Sequence, residues 1–235
     1  MKEGKNMKIE VWSDYACPFC YIGERRLEKA LAEINAGDKI EVIFKSFELD
    51  PTASNKVESE TVERFALKYG MNTEDAANRI EQISLMGRRE GIDFKYATTR
   101  YTNTFDSLRL TKLAQERGHK EIITKLFDAY FTKNLELSNH EVLKNIAAEC
   151  ALEAAEVDEV LNSDKYAADV REDEREAAML GIHGVPYFVI NDKYGLSGAQ
   201  PTYVIKEAIE SILDKEDINK LDGMICGPNG CKFDG

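Results

Sequence analysis

The segment Cys17-Pro18-Phe19-Cys20 constrains this chain more than any other, because it lies between a strand pattern and a helical one. Lys8 to Trp12 reads as a strand with Ile9 and Val11 on one face, and Pro18 to Asn35 as a helix whose apolar face is Cys20, Leu27, Leu31 and Ile34. A second strand, Ile40 to Phe47, is apolar on both faces, as expected of a central strand covered on two sides. The opening is therefore a β-α-β unit with two cysteines where the first strand gives way to the helix.

The spacing predicts unequal roles for the two thiols. Pro18 suits the first helical position, which puts Cys17 at the N-cap. There its sulfur can accept the free backbone N–H of Phe19 or Cys20 at the positive end of the helix dipole. Such a position favours thiolate over thiol, so Cys17 is expected to be the attacking, solvent-facing nucleophile. Cys20, one turn deeper and on the face of Leu27 and Leu31, is expected to be buried, with a raised pKa, and close enough to resolve a mixed disulfide. A zinc site would need two further ligands nearby.

Five cysteines in 235 residues are too few for a disulfide scaffold. The N-terminus carries no apolar run long enough for a signal peptide, and no eighteen consecutive apolar residues occur, so a soluble cytoplasmic protein with no membrane partner is expected. The net charge of −12 opposes nucleic-acid binding, which needs clustered cations, and pairs such as Arg25-Arg26 and Arg88-Arg89 read as solvated helix faces.

From Ser59 to Asn162 the pattern is helical almost throughout, with stripes such as Val62, Phe65, Ala66 and Tyr69, and later Leu143, Ile146, Ala147 and Cys150. Cys150 falls on such a stripe and reads as a core thiol without chemistry. Ser138 with Glu141 forms a capping-box pattern, and Asn72 precedes an acidic first turn. A helix from Ser163 to Leu180 follows. Tyr187 to Ile190 and Tyr194 to Ser197 then form a hairpin around Asn191-Asp192-Lys193, and a last helix runs from Gln200-Pro201 to Leu213. The division expected is residues 1–58 with 163–214 as one discontinuous α/β domain, 59–162 as an inserted all-helical domain, and 215–235 as a tail.

Ser13-Asp-Tyr-Ala-Cys-Pro-Phe-Cys-Tyr-Ile-Gly23, Gly184-Val-Pro-Tyr-Phe-Val189 and Ser197-Gly-Ala-Gln-Pro201 resemble three signatures of the FrnE-type branch of the DsbA-like proteins. The resemblance spans residues 8 to 213. It implies a thioredoxin fold with an inserted helical domain and a thiol-disulfide oxidoreductase working through Cys17 and Cys20, without cofactor or metal. Asn103 to Arg109 resembles a further family segment, but Leu108 stands where that pattern has His, so no substrate role of that His carries over. Phe19 brings no positive charge to Cys17, which implies a less oxidising couple than in relatives with His at that position.

The resemblance also places a cis proline, Val185-Pro186, opposite the cysteines. A strand that starts on Pro lacks a donor there, leaving the Val185 backbone free to pair with an extended substrate. Val185, Pro186, Pro18 and Phe19 are thus the expected substrate-binding residues. Asp14 could accept the Cys17 proton but more often such a carboxylate is a solvated cap, and His183 could approach the thiolate but reads better as an exposed loop residue.

Cys226 and Cys231 flank Gly-Pro-Asn-Gly, a sequence suited to a tight reversal. A disulfide, structural or exchanging electrons with the first centre, a shared metal site and a pair of free thiols all remain open. The partners expected are protein or small-molecule disulfides and thiols, with glutathione or a thioredoxin-type system as redox partner; a homodimer stays open. The competing readings are a kappa-type glutathione transferase or 2-hydroxychromene-2-carboxylate isomerase, which shares this fold but uses one nucleophile, and a chaperone-like binding protein.

Overall fold

Strand β1 (Met7–Ser13) is the axis on which the rest is hung. In the computed structural model, residues 7–34 and 40–214 are described in full, and 215–222, 224–227 and 230–233 by backbone alone. After β1, helix α1 (Pro18–Glu33) crosses to β2 (Ile40–Ser46), which pairs parallel to β1. Strand β3 (Tyr187–Ile190) pairs antiparallel on the other side of β1, and β4 (Tyr194–Ser197) returns beside it, giving the order β2-β1-β3-β4. The β3-β4 turn forms where the sequence predicts it, over Asn191-Asp192-Lys193, with Asn191 and Asp192 left-handed at φ 50° and 56° and Lys193 N donating to Ile190 O at 3.1 Å.

One expectation is corrected here: β2 is an edge strand, because β3 takes the second side of β1. Its apolar character comes from covered faces, and its open edge is satisfied by side chains. Gln115 accepts from Phe44 N at 2.8 Å and donates to Phe44 O at 3.1 Å, while Asp173 accepts from Ser46 N at 2.7 Å. Such covering removes the pairing template a bare edge would present.

Between β2 and β3 lie α2 (Thr61–Tyr69), α3 (Thr73–Arg89), a 3-10 turn at Tyr96–Thr98, α4 (Phe105–Glu116), α5 (Ile122–Phe131), α6 (His140–Glu149), α7 (Ala154–Leu161) and α8 (Ala167–Met179). Asn72 caps α3 as expected, accepting from Asp75 N. The cap of α6 is Asn139, which accepts from Glu141 N through Oδ1 at 2.9 Å, and not Ser138, whose hydroxyl instead donates to Asn55 O. Helix α8 begins four residues later than the sequence suggests, after Tyr166 in a left-handed conformation. Helix α9 (Thr202–Asp222) closes the sheet side, with β5 (Met224–Gly227) and β6 (Gly230–Phe233) paired antiparallel beyond it. The architecture is a thioredoxin fold carrying inserted helices, and among the described residues no helix is long and apolar enough to cross a membrane.

Two apolar cores meet at α1. Its C-terminal half packs Leu27, Ala30 and Ile34 against Ile9, Phe188, Ile205 and Ile209. Its first turns, with Cys17, Cys20, Tyr21 and Ile22, belong to the core of the inserted helices. Tyr21 stacks on Phe127 at 5.1 Å between ring centres, and Tyr15 on Phe44 at 5.3 Å. Each such buried aromatic contributes roughly 2–3 kcal/mol by area removed from water. The start of α1 is therefore fixed by helices far away in sequence.

Candidate active site

Pro18 opens α1 and Cys17 is its N-cap, as the motif predicts, but the sulfur does not cap the helix. Cys17 Sγ donates instead to Val185 O at 3.5 Å, across the cis Val185–Pro186 bond. The first turn is closed by backbone alone, Cys20 N donating to Cys17 O at 3.1 Å. Nor is Cys17 solvent-facing: it is 3 % exposed and reaches outside only through a cleft of about 480 Å³. Pro18, Phe19 and Val185 all line this cleft, and Phe19 is the exposed one at 37 %. The Val185 carbonyl, which the sequence leaves free to pair with an extended substrate, accepts here from the Cys17 thiol.

Cys20 is buried as expected. Burial, then the hydrogen bond with Cys17, pushes its thiol well above the ordinary value, while Ser13 partly offsets this. Behind it lies a second cavity of about 530 Å³, which it shares with Ser13, Glu24, Thr124 and apolar neighbours including Phe44 and Phe127. Glu24, one turn beyond Cys20, accepts from Thr124 Oγ1 at 2.8 Å through Oε1. The residue as a whole is partly buried, yet Oε2 is sealed from solvent without a hydrogen-bond partner. Desolvation, reinforced by Glu28, raises its carboxyl to about 7.

Pro186 is buried, with Cγ 3.0 Å from where a side chain on Gly23 would begin, so glycine is what lets α1 approach the proline. Asp14 is not a solvated cap. It is 2 % exposed and its carboxylate accepts from Ala16 N, Leu49 N and Thr104 Oγ1, bonds that shape the loop before Cys17. Burial raises its pKa against those bonds. His183 is exposed, and the cleft wall runs from Gly184 to Val185 without it.

Thr104 and Arg109, in the segment with Leu108, serve the scaffold. Arg109 donates to Val160 O, Ser163 O and Lys165 O, and Leu108 is fully buried. Cys150 is buried, with its thiol pushed to about 11 by burial and by Glu121. Cys226 and Cys231 face each other in the β5-β6 register, but their side chains lie outside the described residues.

Sequence reasoning missed the far wall of the cleft: Arg64, Lys68, Arg79, Tyr96 and Tyr101. The only trace available was Arg64 and Lys68, four apart beside the apolar stripe of Phe65 and Tyr69. Glu24 was also missed, although its place four residues after Cys20 on the same helix was visible.

The model of the DSBA-like thioredoxin domain family matches residues 8–210. The crystal structure of a probable DsbA oxidoreductase, SCO1869 from Streptomyces coelicolor, superposes with a TM-score of 0.83 at 37 % identity, covering 98 % of this chain and 100 % of that one. The uncharacterized protein YwbO of Bacillus subtilis (strain 168) is 28 % identical over 207 residues, 86 % of this chain and 94 % of its own. A 2-hydroxychromene-2-carboxylate isomerase structure, with TM-score 0.67, 12 % identity and coverage of 89 % and 98 %, is alike in fold alone.

Proposed function

This chain belongs to the DSBA-like thioredoxin domain family, and from that premise we propose that it is a thiol-disulfide oxidoreductase with Cys17 and Cys20 as its redox pair. The observation that carries the reading is the asymmetry of the two sulfurs: Cys17 lines a cationic cleft beside Val185 O, and Cys20, one turn deeper, is buried with its thiol pushed up.

The Cys17 thiolate attacks one sulfur of a substrate disulfide, forming a mixed disulfide and releasing the other sulfur as a thiolate. Cys20 gives up its proton and attacks Cys17 Sγ, which forms the Cys17–Cys20 disulfide and expels the second substrate thiolate. Two electrons pass from the enzyme to the substrate, and the reverse sequence oxidises a dithiol. Glu24 shares the Cys20 cavity and, with its carboxyl near 7, takes the Cys20 proton at neutral pH. Val185 and Pro186 with Pro18 and Phe19 form the substrate wall. Residues 1–58 and 163–214 carry the thiols, and residues 59–162 supply the opposite side of the cleft.

A thiol of the glutathione or thioredoxin type returns the enzyme to the dithiol state in a reducing cytoplasm, and Cys226 with Cys231 relays electrons to Cys20. The test is insulin reduction by the wild type, Cys17→Ser, and the double Cys226→Ser/Cys231→Ser variant. Cys17→Ser is expected at background and the double variant at reduced turnover. Activity that survives Cys17→Ser overturns the main reading, and an unchanged double variant overturns the relay.

A further inference from the structure

The cleft over Cys17 reverses the sign of the molecule around it. Helix α2 brings Arg64 and Lys68 to its wall and α3 brings Arg79, while no acidic side chain lines it, in a chain of net charge −12. Among the described residues none of these three cations is in an ion pair, whereas Arg26, Arg109 and Arg117 each hold a carboxylate. Arg79 donates to Gln82 Oε1 at 3.1 Å, and the Lys68 ammonium lies 5.8 Å from the Tyr69 ring centre.

Arg64 is the most telling. Its guanidinium lies 3.8 Å from the centre of the Tyr101 ring, and its Nε is buried without an acceptor. A cationic N–H removed from water with no acceptor is costly, and a carboxylate is the group that best satisfies a guanidinium. The Asp50 carboxylate shares a neighbouring recess with Arg64 and Lys68 but pairs with neither, accepting instead from Thr52 and the Tyr101 hydroxyl. Tyr101 and Tyr96 stay protonated, since burial drives both phenols upward. The cleft thus has an unmet demand for negative charge beside a nucleophilic sulfur.

We propose that the cleft selects low-molecular-weight disulfides that carry carboxylates, held by Arg64, Lys68 and Arg79 while Cys17 attacks. This rests on the oxidoreductase reading and narrows its substrate class. A volume of about 480 Å³ suits a small ligand. The reaction balances as enzyme dithiol plus one anionic disulfide giving enzyme disulfide plus two anionic thiols, so a single turnover needs no further reductant.

The test is a single-turnover series in which the reduced full-length protein meets glutathione disulfide, neutral bis(2-hydroxyethyl) disulfide and cationic cystamine, with thiols counted by mass after acid quench. Each rate constant is divided by that of the same disulfide with dithiothreitol, which removes intrinsic reactivity. The normalised anionic-to-neutral ratio is expected to be at least about tenfold, with the cationic disulfide slowest, as for charge-steered encounter. Added salt should shrink the ratio. Arg64→Gln, and separately Lys68→Gln with Arg79→Gln, should each lower it at least about threefold. The second pair of changes keeps the test open if Arg64→Gln misfolds.

A ratio near one, or a ratio indifferent to both sets of variants, overturns the proposal. So does faster reaction with an acidic-flanked peptide disulfide than with glutathione disulfide, which moves the preference to protein substrates. Failure to react with any of the disulfides would instead sink the oxidoreductase reading, so the two failures differ.

Discussion

Cys17 and Cys20 are three residues apart on one helix, yet they look into different media. The cleft at Cys17 is walled by cations and tyrosines with no carboxylate, whereas the cavity at Cys20 has a mostly apolar surface and carries both signs of charge, Glu24, Glu28 and Glu121 with Lys120 and Lys125. The difference shows how a short helical step can separate two chemically identical groups. Both belong to the core of the inserted helices, but the N-cap residue meets the cis proline loop and lines the cationic cleft, while the residue one turn on lines the second cavity. Each thiol thus faces its own recess, and both placements follow from how the start of α1 is wedged between the sheet and the inserted helices.

The largest expected effect removes the secluded partner. In Cys20→Ser the mixed disulfide on Cys17 has nothing to resolve it, so stoichiometric enzyme-substrate adduct should accumulate on exposure to a disulfide, whereas Cys17→Ser should give none. Intact-mass measurement after acid quench reads both. Adduct on Cys20 in the Cys17→Ser protein would erase the contrast between the two media.

Glu24 tests the character of the inner cavity. Its folded pKa, about 7, lies above the ordinary 4.5, so the protonated form is the one the fold prefers. Below 4.5 folded and unfolded chains are both protonated and nothing is lost. As pH rises from 4.5 to 7 the unfolded chain ionises first and stability falls, and above 7 the penalty is constant at about 3 kcal/mol. Glu24→Gln should therefore be more stable than wild type by about that amount at pH 8 and equal to it at pH 4, by denaturant titration. The same variant should exchange thiols more slowly at neutral pH, having lost the receiver of the Cys20 proton. Equal stability at both pH values would mean that Oε2 is solvated.

Gly23 probes the contact that brings the two media together. A methyl there would meet Pro186 Cγ at 3.0 Å and Phe188 Cζ at 3.5 Å. Overpacking of this kind costs roughly 1–3 kcal/mol, against a helix-propensity gain of about 1 for replacing glycine. Gly23→Ala should thus lose about 1 kcal/mol net, and should slow attack by Cys17 because the Val185–Pro186 segment that forms the substrate wall is displaced. Unchanged stability and rate would show that the proline loop moves aside freely.

The β-α-β opening, the helix start at Pro18, the hairpin at Asn191 and the burial of Cys20 were legible because each depends on neighbours in sequence. The edge position of β2 was not, since it depends on which side of β1 the distant β3 chooses. Asp14 looked like a solvated cap because its third partner, Thr104, is ninety residues away. The cationic wall escaped for the same reason: Arg64 and Arg79 become a feature of Cys17 only when α2 and α3 fold over α1. Local chemistry could be read from the motif, but its electrostatic setting came from tertiary structure.

Cys150 gives the smallest effect and isolates what burial alone does. It is 2 % exposed and Cys17 is 3 %, so accessibility of the residue barely separates them. Their surroundings do. Cys150 closes α6 inside the apolar core, near Glu121 and Glu149, and its thiol is pushed to about 11. Cys17 has an arginine-lined cleft and a peptide carbonyl. At pH 8 fewer than about one Cys150 in a hundred is thiolate, which starves any alkylating agent of its target. Native iodoacetamide treatment should therefore label Cys17 and leave Cys150 intact until the protein unfolds. Cys150→Ala should leave disulfide exchange unaltered and cost about 1 kcal/mol of stability, the scale of one small buried group. Labelling of Cys150 at a rate matching Cys17 would show that the cleft contributes nothing to reactivity beyond what any buried thiol has.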